Sequence, residues 1–345
     1  MAELTETVVR SRPGRAGGNR PPPHPLAPGG PVRPGGASRV AAHASRWWFR
    51  YLTGALAASV LALAAVIVWQ LWIGSRGAWS EFGLGFITDT AWNPVRGEFG
   101  ALPFIAGTLL TSGMALLIAF PISIGIAILL SEYLPGPLRE PLIFLVELLA
   151  AIPSVVYGLW GIFVLAPLMQ AHVIPFLAAS PLGWLPMFGE AGPGYTMFTA
   201  SVILAIMIIP IIASLSREVF LAVPKDQKEA ALALGLTRWE AVRNVSLAYG
   251  LPGIFSAGIL GLARAMGETM AVTMTIGNRV ALTADYFQPA YTMTAIIANE
   301  FLEAATELHV SALVAVGLVL FGLSFVVNVL GRLLIMRSLR RAEGL

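Results

Sequence analysis

Six apolar runs set the terms for how this chain can fold. They cover roughly 52–73, 104–131, 140–169, 197–216, 249–277 and 310–334. Each is long enough to cross a ~30 Å hydrocarbon core. Inside such a core every backbone N–H and C=O must find a partner within the protein, which makes these runs helices. The expectation is an all-α polytopic membrane protein with six transmembrane helices. Composition agrees: the 345 residues are 57% hydrophobic and 12% charged, about half the ~25% charge of a soluble domain. Pro153 and Pro210 fall inside the third and fourth runs and are expected to kink them. Trp47, Trp48, Trp69, Trp72 and Trp79 bracket the first run, where interfacial anchors belong.

Charge placement predicts orientation. With the N-terminus in the cytoplasm, 18 of the 22 basic residues fall on the cytoplasmic side. Arg76, Arg96 and Arg279 lie outside, and Arg264 lies within the fifth run. That asymmetry places both termini in the cytoplasm. The chain then divides into an Arg/Pro/Gly-rich tail at 1–46, a first helix with its outer loop at 47–103, a five-helix core at 104–335 and a short tail at 336–345. The first tail cannot bury a core and is expected to be disordered. Its arginines are read either as a solvated topology signal or as a contact with anionic lipid.

Several function classes drop out. The chain has no cysteine, and His24, His43, His172 and His309 are scattered without metal-ligand spacing. No Ser/His/Asp set or paired catalytic carboxylates suggests an enzyme. Lys225 and Lys228 are the only lysines and neither follows a glycine, so a phosphate-binding Gly-x-x-x-x-Gly-Lys loop is impossible. No cofactor or metal is expected on this chain, and no nucleic-acid partner.

Between the fourth and fifth runs lies a charged segment of about thirty residues, far longer than an ordinary connection. Pro224 suits a helix start and Gly235 a helix end. Thr237 and Glu240 have the spacing of a capping box. Two short helices are therefore expected at about 224–245, with an apolar face of Ala230, Ala231, Leu234, Trp239 and Val242. An apolar face in water calls for a protein partner.

The fifth run carries Arg264 and Glu268. At i, i+4 on one helix they would share a face and could pair. Gly253, Ala257, Gly261 and Ala265 form a small-residue ladder on that face, allowing close helix approach. Two readings stand: a structural ion pair, or an anion-pathway arginine tuned by its glutamate. Glu147 and Ser154 fall on one face of the third run and Thr275 on the face of the charged pair, so these three are further pathway candidates. The outer loops carry Glu81, Asp89, Glu98, Asp285, Glu300, Glu303 and Glu307, either as solvated surface or as a docking face.

These motifs resemble a known family. Glu229-Ala230-Ala231, followed three residues later by Gly235, is similar to the cytoplasmic loop of permease subunits in binding-protein-dependent ABC importers. The chain departs from that pattern at Ala248, where the family usually has proline. "GLARAMGETMAV" and "IPSVVYGLWG" resemble the phosphate-importer permeases, nearer the PstC-like than the PstA-like group. The resemblance implies a type I ABC importer permease (MetI-like) fold in the bacterial plasma membrane. It implies ATPase coupling through Glu229, Ala230, Ala231 and Gly235, and phosphate transport involving Arg264 and Glu268. It implies as partners a PstA-like second permease, a cytoplasmic ATPase dimer holding ATP and Mg, an extracytoplasmic phosphate-binding protein and membrane lipid. A permease for molybdate or sulfate, or a secondary anion transporter, is the alternative.

Overall fold

The computed structural model describes the backbone of residues 36–189 and 192–343. The expected N-terminal tail lies outside the described residues up to position 35. The described residues fall into two units, one ending at Ala62 and one beginning at Leu63. Helix α1, Gly36–Gly74, begins about ten residues before that tail was expected to end. The final helix likewise runs on to Glu343, so most of the expected short C-terminal tail is helical.

Among the described residues six helices are long and apolar enough to cross a membrane: Trp48–Gly74, Leu102–Tyr133, Ser154–Ala179, Met197–Leu221, Arg238–Gly267 and Glu307–Leu333. Between the first two lie α2 (Arg76–Phe82), α3 (Gly85–Thr88) and a two-stranded ribbon, β1 (Trp92–Asn93) against β2 (Glu98–Phe99). Then come α4 (Leu102–Tyr133), α5 (Gly136–Ala151), α6 (Ser154–Ala179) and α7 (Met197–Leu221). The order continues with α8 (Lys225–Ala233), α9 (Arg238–Gly267), α10 (Met270–Thr275), α11 (Met293–Glu300) and α12 (Glu307–Glu343).

The centre of the bundle is α7. In its most apolar window 61% of residues are buried inside the chain, against at most 33% for any other span. It starts at Thr196, whose Oγ1 accepts from Thr199 N–H at 3.2 Å. Neighbouring helices come close to it through small residues. A Cβ on Gly253 would lie 2.5 Å from Val219 and one on Gly261 would lie 2.6 Å from Ile212. The small-residue ladder of the fifth run therefore faces α7, where close backbone approach supplies the van der Waals packing that holds membrane helices together.

Three expectations change. The third run is not one helix from 140 to 169: α5 stops at Ala151 and α6 spans 154–179. Ile152, preceding Pro153, is extended at φ −65°, ψ 128°, because the proline ring clashes with a helical residue before it. Trp79 is no interfacial anchor: it sits in α2, edge-on to Phe86, with a buried indole nitrogen. Trp48, Trp69 and Trp72 are exposed, as lipid-facing side chains would be.

The second half of the connection 278–292 is also no surface loop, although Asn278, Arg279, Leu282 and Ala284 are exposed. Phe287 is fully buried, and the Met197 and Phe198 N–H groups donate to the carbonyls of Gln288 and Tyr286 at 3.1 and 2.8 Å. Asp285 orders it by accepting from Phe287 N–H at 2.9 Å and Gly189 N–H at 3.2 Å.

Candidate functional site

The predicted i, i+4 pair in the fifth span does not form, because the helix ends between its members. α9 stops at Gly267, and Glu268 has ψ 130°. No proline causes the break. The Thr294 hydroxyl at the start of α11 donates to the Glu268 carbonyl at 2.8 Å, giving a partner to a carbonyl at the break. The buried Glu268 carboxylate faces the next turn, within 3.5 Å of the Ala271 N–H, as a carboxylate at a helix start should. Glu268 therefore braces the junction between α9 and α10.

Arg264 also departs from expectation. It lies off the buried Gly261–Ala265 face, on an exposed stripe with Ser256 and Leu260 at four-residue spacing. Among the described residues it makes no side-chain hydrogen bond or ion pair. A guanidinium exposed on a spanning helix carries a large desolvation cost unless water or another protein covers it. This stripe is where the single chain leaves an arginine to be answered from outside itself.

The secondary candidates separate. Glu147 is exposed on α5 and Ser154 opens α6 across the Pro153 break, so they do not share a helix face. Thr275 is fully buried and spends its hydroxyl on the Ala271 carbonyl at 2.7 Å. Its methyl would meet a Cβ on Gly161 at 2.6 Å, so it packs α10 onto α6. Arg264, Glu268, Glu147, Ser154 and Thr275 share no hydrogen bond with one another among the described residues.

A threonine chain was missed. Thr292 and Thr294 hydroxyls lie 3.2 Å apart, and Met293 N–H donates to Thr108 Oγ1 at 3.0 Å. Together with the Thr294–Glu268 bond they join α4, α11 and the α9–α10 junction. The sequence signal is only the threonines of "TLLTSG" and "YTMT", which carry no long-range information.

At the other end of the bundle, α8 and the start of α9 form the expected two short helices. Gly235 between them has φ +91°, a conformation other residues adopt at a steric cost. The capping box is present: Glu240 N–H donates to Thr237 Oγ1 at 3.3 Å and Thr237 N–H to Glu240 Oε2 at 2.8 Å. The apolar face splits. Ala230, Leu234 and Trp239 are exposed, while Ala231 and Val242 are buried against their own chain. Glu229 is exposed beside Ala230.

The outer acids also divide. Glu300 is internal: its Oε2 accepts from Trp92 Nε1 at 2.9 Å and lies 3.0 Å from His309 Nε2. Around it Trp92, Phe99, Phe104 and His309 form an aromatic cluster. Glu81, Asp89, Glu98, Glu303 and Glu307 remain exposed.

With this geometry the comparisons are specific. Residues 119–340 match the family described as "binding-protein-dependent transport system inner membrane component". The chain belongs to that family. It is 47% identical over 292 residues to a phosphate transport system permease protein PstC of Mesorhizobium japonicum, covering 84% of this chain and 89% of that one. A PstC of Xylella fastidiosa (strain Temecula1) is 46% identical over 315 residues, covering 90% and 96%. Among solved structures, a bacterial ABC transporter involved in the import of alginate aligns with TM-score 0.56 at 18% identity, over 87% of this chain and 99% of that chain. The MetNI methionine ABC transporter aligns with TM-score 0.50 at 20% identity, over 72% and 99%. These two carry the fold: this family member has the MetI-like architecture of an ABC importer permease.

Proposed function

We propose that this chain is the PstC-like membrane permease subunit of an ATP-driven importer of inorganic phosphate. The observation that carries the reading is the 45–47% identity to phosphate permeases along most of the chain. The chain performs no covalent chemistry. It works in the bacterial inner membrane with a second permease, ATPase subunits and an extracytoplasmic binding protein. A PstA-like chain is the partner we assign to the second permease, and an ATPase dimer holding ATP and Mg is assigned to the cytoplasm. Both termini and the 224–245 segment are placed in the cytoplasm by the basic-residue asymmetry.

Arg264 is assigned to the anion pathway. A planar guanidinium matches two oxygens of a tetrahedral oxyanion, and this one has no partner of its own among the described residues. Glu268 supports it by fixing where α9 ends. Glu147 and Ser154 are assigned as further pathway residues, and Thr275 supports the pathway through the α6–α10 contact. Glu229, Ala230, Ala231 and Gly235 form the ATPase coupling element, with Ala230, Leu234 and Trp239 as its exposed apolar contacts.

The test is uptake of labelled phosphate by the assembled complex in proteoliposomes, with sulfate and molybdate as competitors. Phosphate uptake that neither competitor suppresses is expected. Preferential uptake of sulfate or molybdate would assign the chain to another oxyanion.

A further inference from the structure

Among the described residues, the ion pair that ties the coupling segment to the bundle is made by Glu132. Its Oε1 lies 2.5 Å from Lys228 Nζ, on α8, and 3.3 Å from Ser246 Oγ, on α9. Lys228 Nζ also donates to the Phe220 carbonyl in the last turn of α7 at 3.1 Å. One carboxylate–ammonium pair thus holds together the ends of α4 and α7, the coupling helix α8 and the start of the fifth span. The pair is mostly shielded, with side chains 22% and 15% exposed. It is therefore screened less than a surface bridge. It lines a cavity of about 290 Å³ together with Tyr133, Leu232, Arg238 and Ser246.

The backbone explains why this point matters. Arg238–Gly267 is continuous helix, through a π-turn at Val242–Ser246. Ala248 keeps the N–H that a proline would lack. Pro252 lies inside this helix and leaves the Ala248 carbonyl without its i+4 N–H. The second short helix and the fifth span therefore form one continuous helix, a lever with a missing rung at Pro252, extending roughly 27 Å from Ser246 to Arg264 at 1.5 Å per residue. The coupling helix α8 is not part of that lever, because Gly235 and the turn after it interrupt the chain.

We propose that Glu132 is a positioning residue for transport, the hub through which movement of α8 reaches the lever and so Arg264. The proposal rests on the coupling role assigned above to the 224–245 segment. When α8 is displaced by its partner, Lys228 moves against Glu132, which belongs to the end of α4 and also holds Ser246 at the base of the lever. The Phe220 carbonyl at the end of α7 accepts from Lys228 rather than from Glu132 and is the second point on which α8 turns.

The test uses the full complex in proteoliposomes and reads phosphate imported per ATP hydrolysed. Glu132→Gln is expected to assemble and hydrolyse ATP while that ratio falls roughly fivefold or more. Ser246→Ala is expected to lower it about twofold. The charge-swapped double variant, Glu132→Lys with Lys228→Glu, is expected to recover part of the ratio. The recovery ties the loss to this pair, and a lowered ratio with assembly and ATP hydrolysis at wild-type level is what a merely structural contact would not give. A wild-type ratio in Glu132→Gln overturns the proposal. If Glu132→Gln fails to assemble, the swapped variant decides: recovery supports the hub, continued loss overturns it. A wild-type complex that hydrolyses ATP but imports no phosphate overturns the functional reading instead. The same ratio is then measured with the competing oxyanion that it does carry.

Discussion

Arg264 and Glu268 stand four residues apart and do different work. Arg264 is exposed and free to meet an anion, while Glu268 is buried and bound into the α9–α10–α11 junction. Arg264→Ala is expected to reduce phosphate uptake by roughly 10- to 100-fold, the loss of one or two hydrogen bonds to a charged ligand. Membrane level and subunit copurification should be unchanged, and normal uptake by that variant would remove Arg264 from the pathway. Thr294→Val removes the hydroxyl that holds the Glu268 carbonyl and should lower uptake while leaving Arg264 in place. Protection of the α9–α10 junction in hydrogen exchange, compared with wild type, is the direct measure. The residue types at 264 and 268 were readable from sequence. Their separation was not: the helix ends between them, and the Glu268 carbonyl is met by a hydroxyl 26 positions further along the chain.

Among elements, the fifth span and the coupling helices decide most. The fifth span approaches α7 so closely that Gly261 has no room for a larger side chain. Gly261→Val is expected to destabilise the fold by about 1–3 kcal/mol, the usual cost of overpacking, and thermal unfolding in detergent would register it. The Gly235 backbone has φ +91°, so Gly235→Val should cost about 1–2 kcal/mol in the turn between the two short helices. Nothing lies within 4 Å of a Cβ placed there, so the penalty is conformational rather than a clash. The expected result is weaker ATPase copurification with the spans intact; full copurification and transport would argue against docking at this turn. These two helices were legible because capping residues and a glycine stop act within a few residues. The split of their apolar face was not, since burial of Ala231 and Val242 depends on packing from other elements.

For the whole molecule, orientation is the testable property. The chain has no cysteine, so a single introduced cysteine reports one site without background. Val95 at the β1–β2 turn is 97% exposed and Leu234 at the end of α8 is 82% exposed. A membrane-impermeant maleimide added to intact cells should label Val95→Cys and leave Leu234→Cys unmodified until the membrane is opened. The opposite pattern would invert the topology. The end of the bundle that carries α2, α3 and the ribbon has a structured core of its own, built on Glu300, His309 and Trp92. Acids read from sequence as available for docking therefore reduce to those that stay exposed.

What the sequence determined by itself was whatever local chemistry or composition dictates. Six long apolar runs must become helices because lipid satisfies no backbone group. The capping box, the glycine turn and the absence of a nucleotide-binding loop follow from neighbouring residues. The break before Ser154 is announced by Pro153, but tertiary structure decided which polar groups meet. The break at Glu268 has no proline to announce it, and its carbonyl is met by Thr294 from a distant helix. Glu132 is one acid in a short connection until folding brings it to Lys228 and Ser246, 96 and 114 residues away. Polar contacts inside or beside a membrane are few and costly to leave unmade. Their partners are set by which helices pack side by side, and helical periodicity carries no record of that choice.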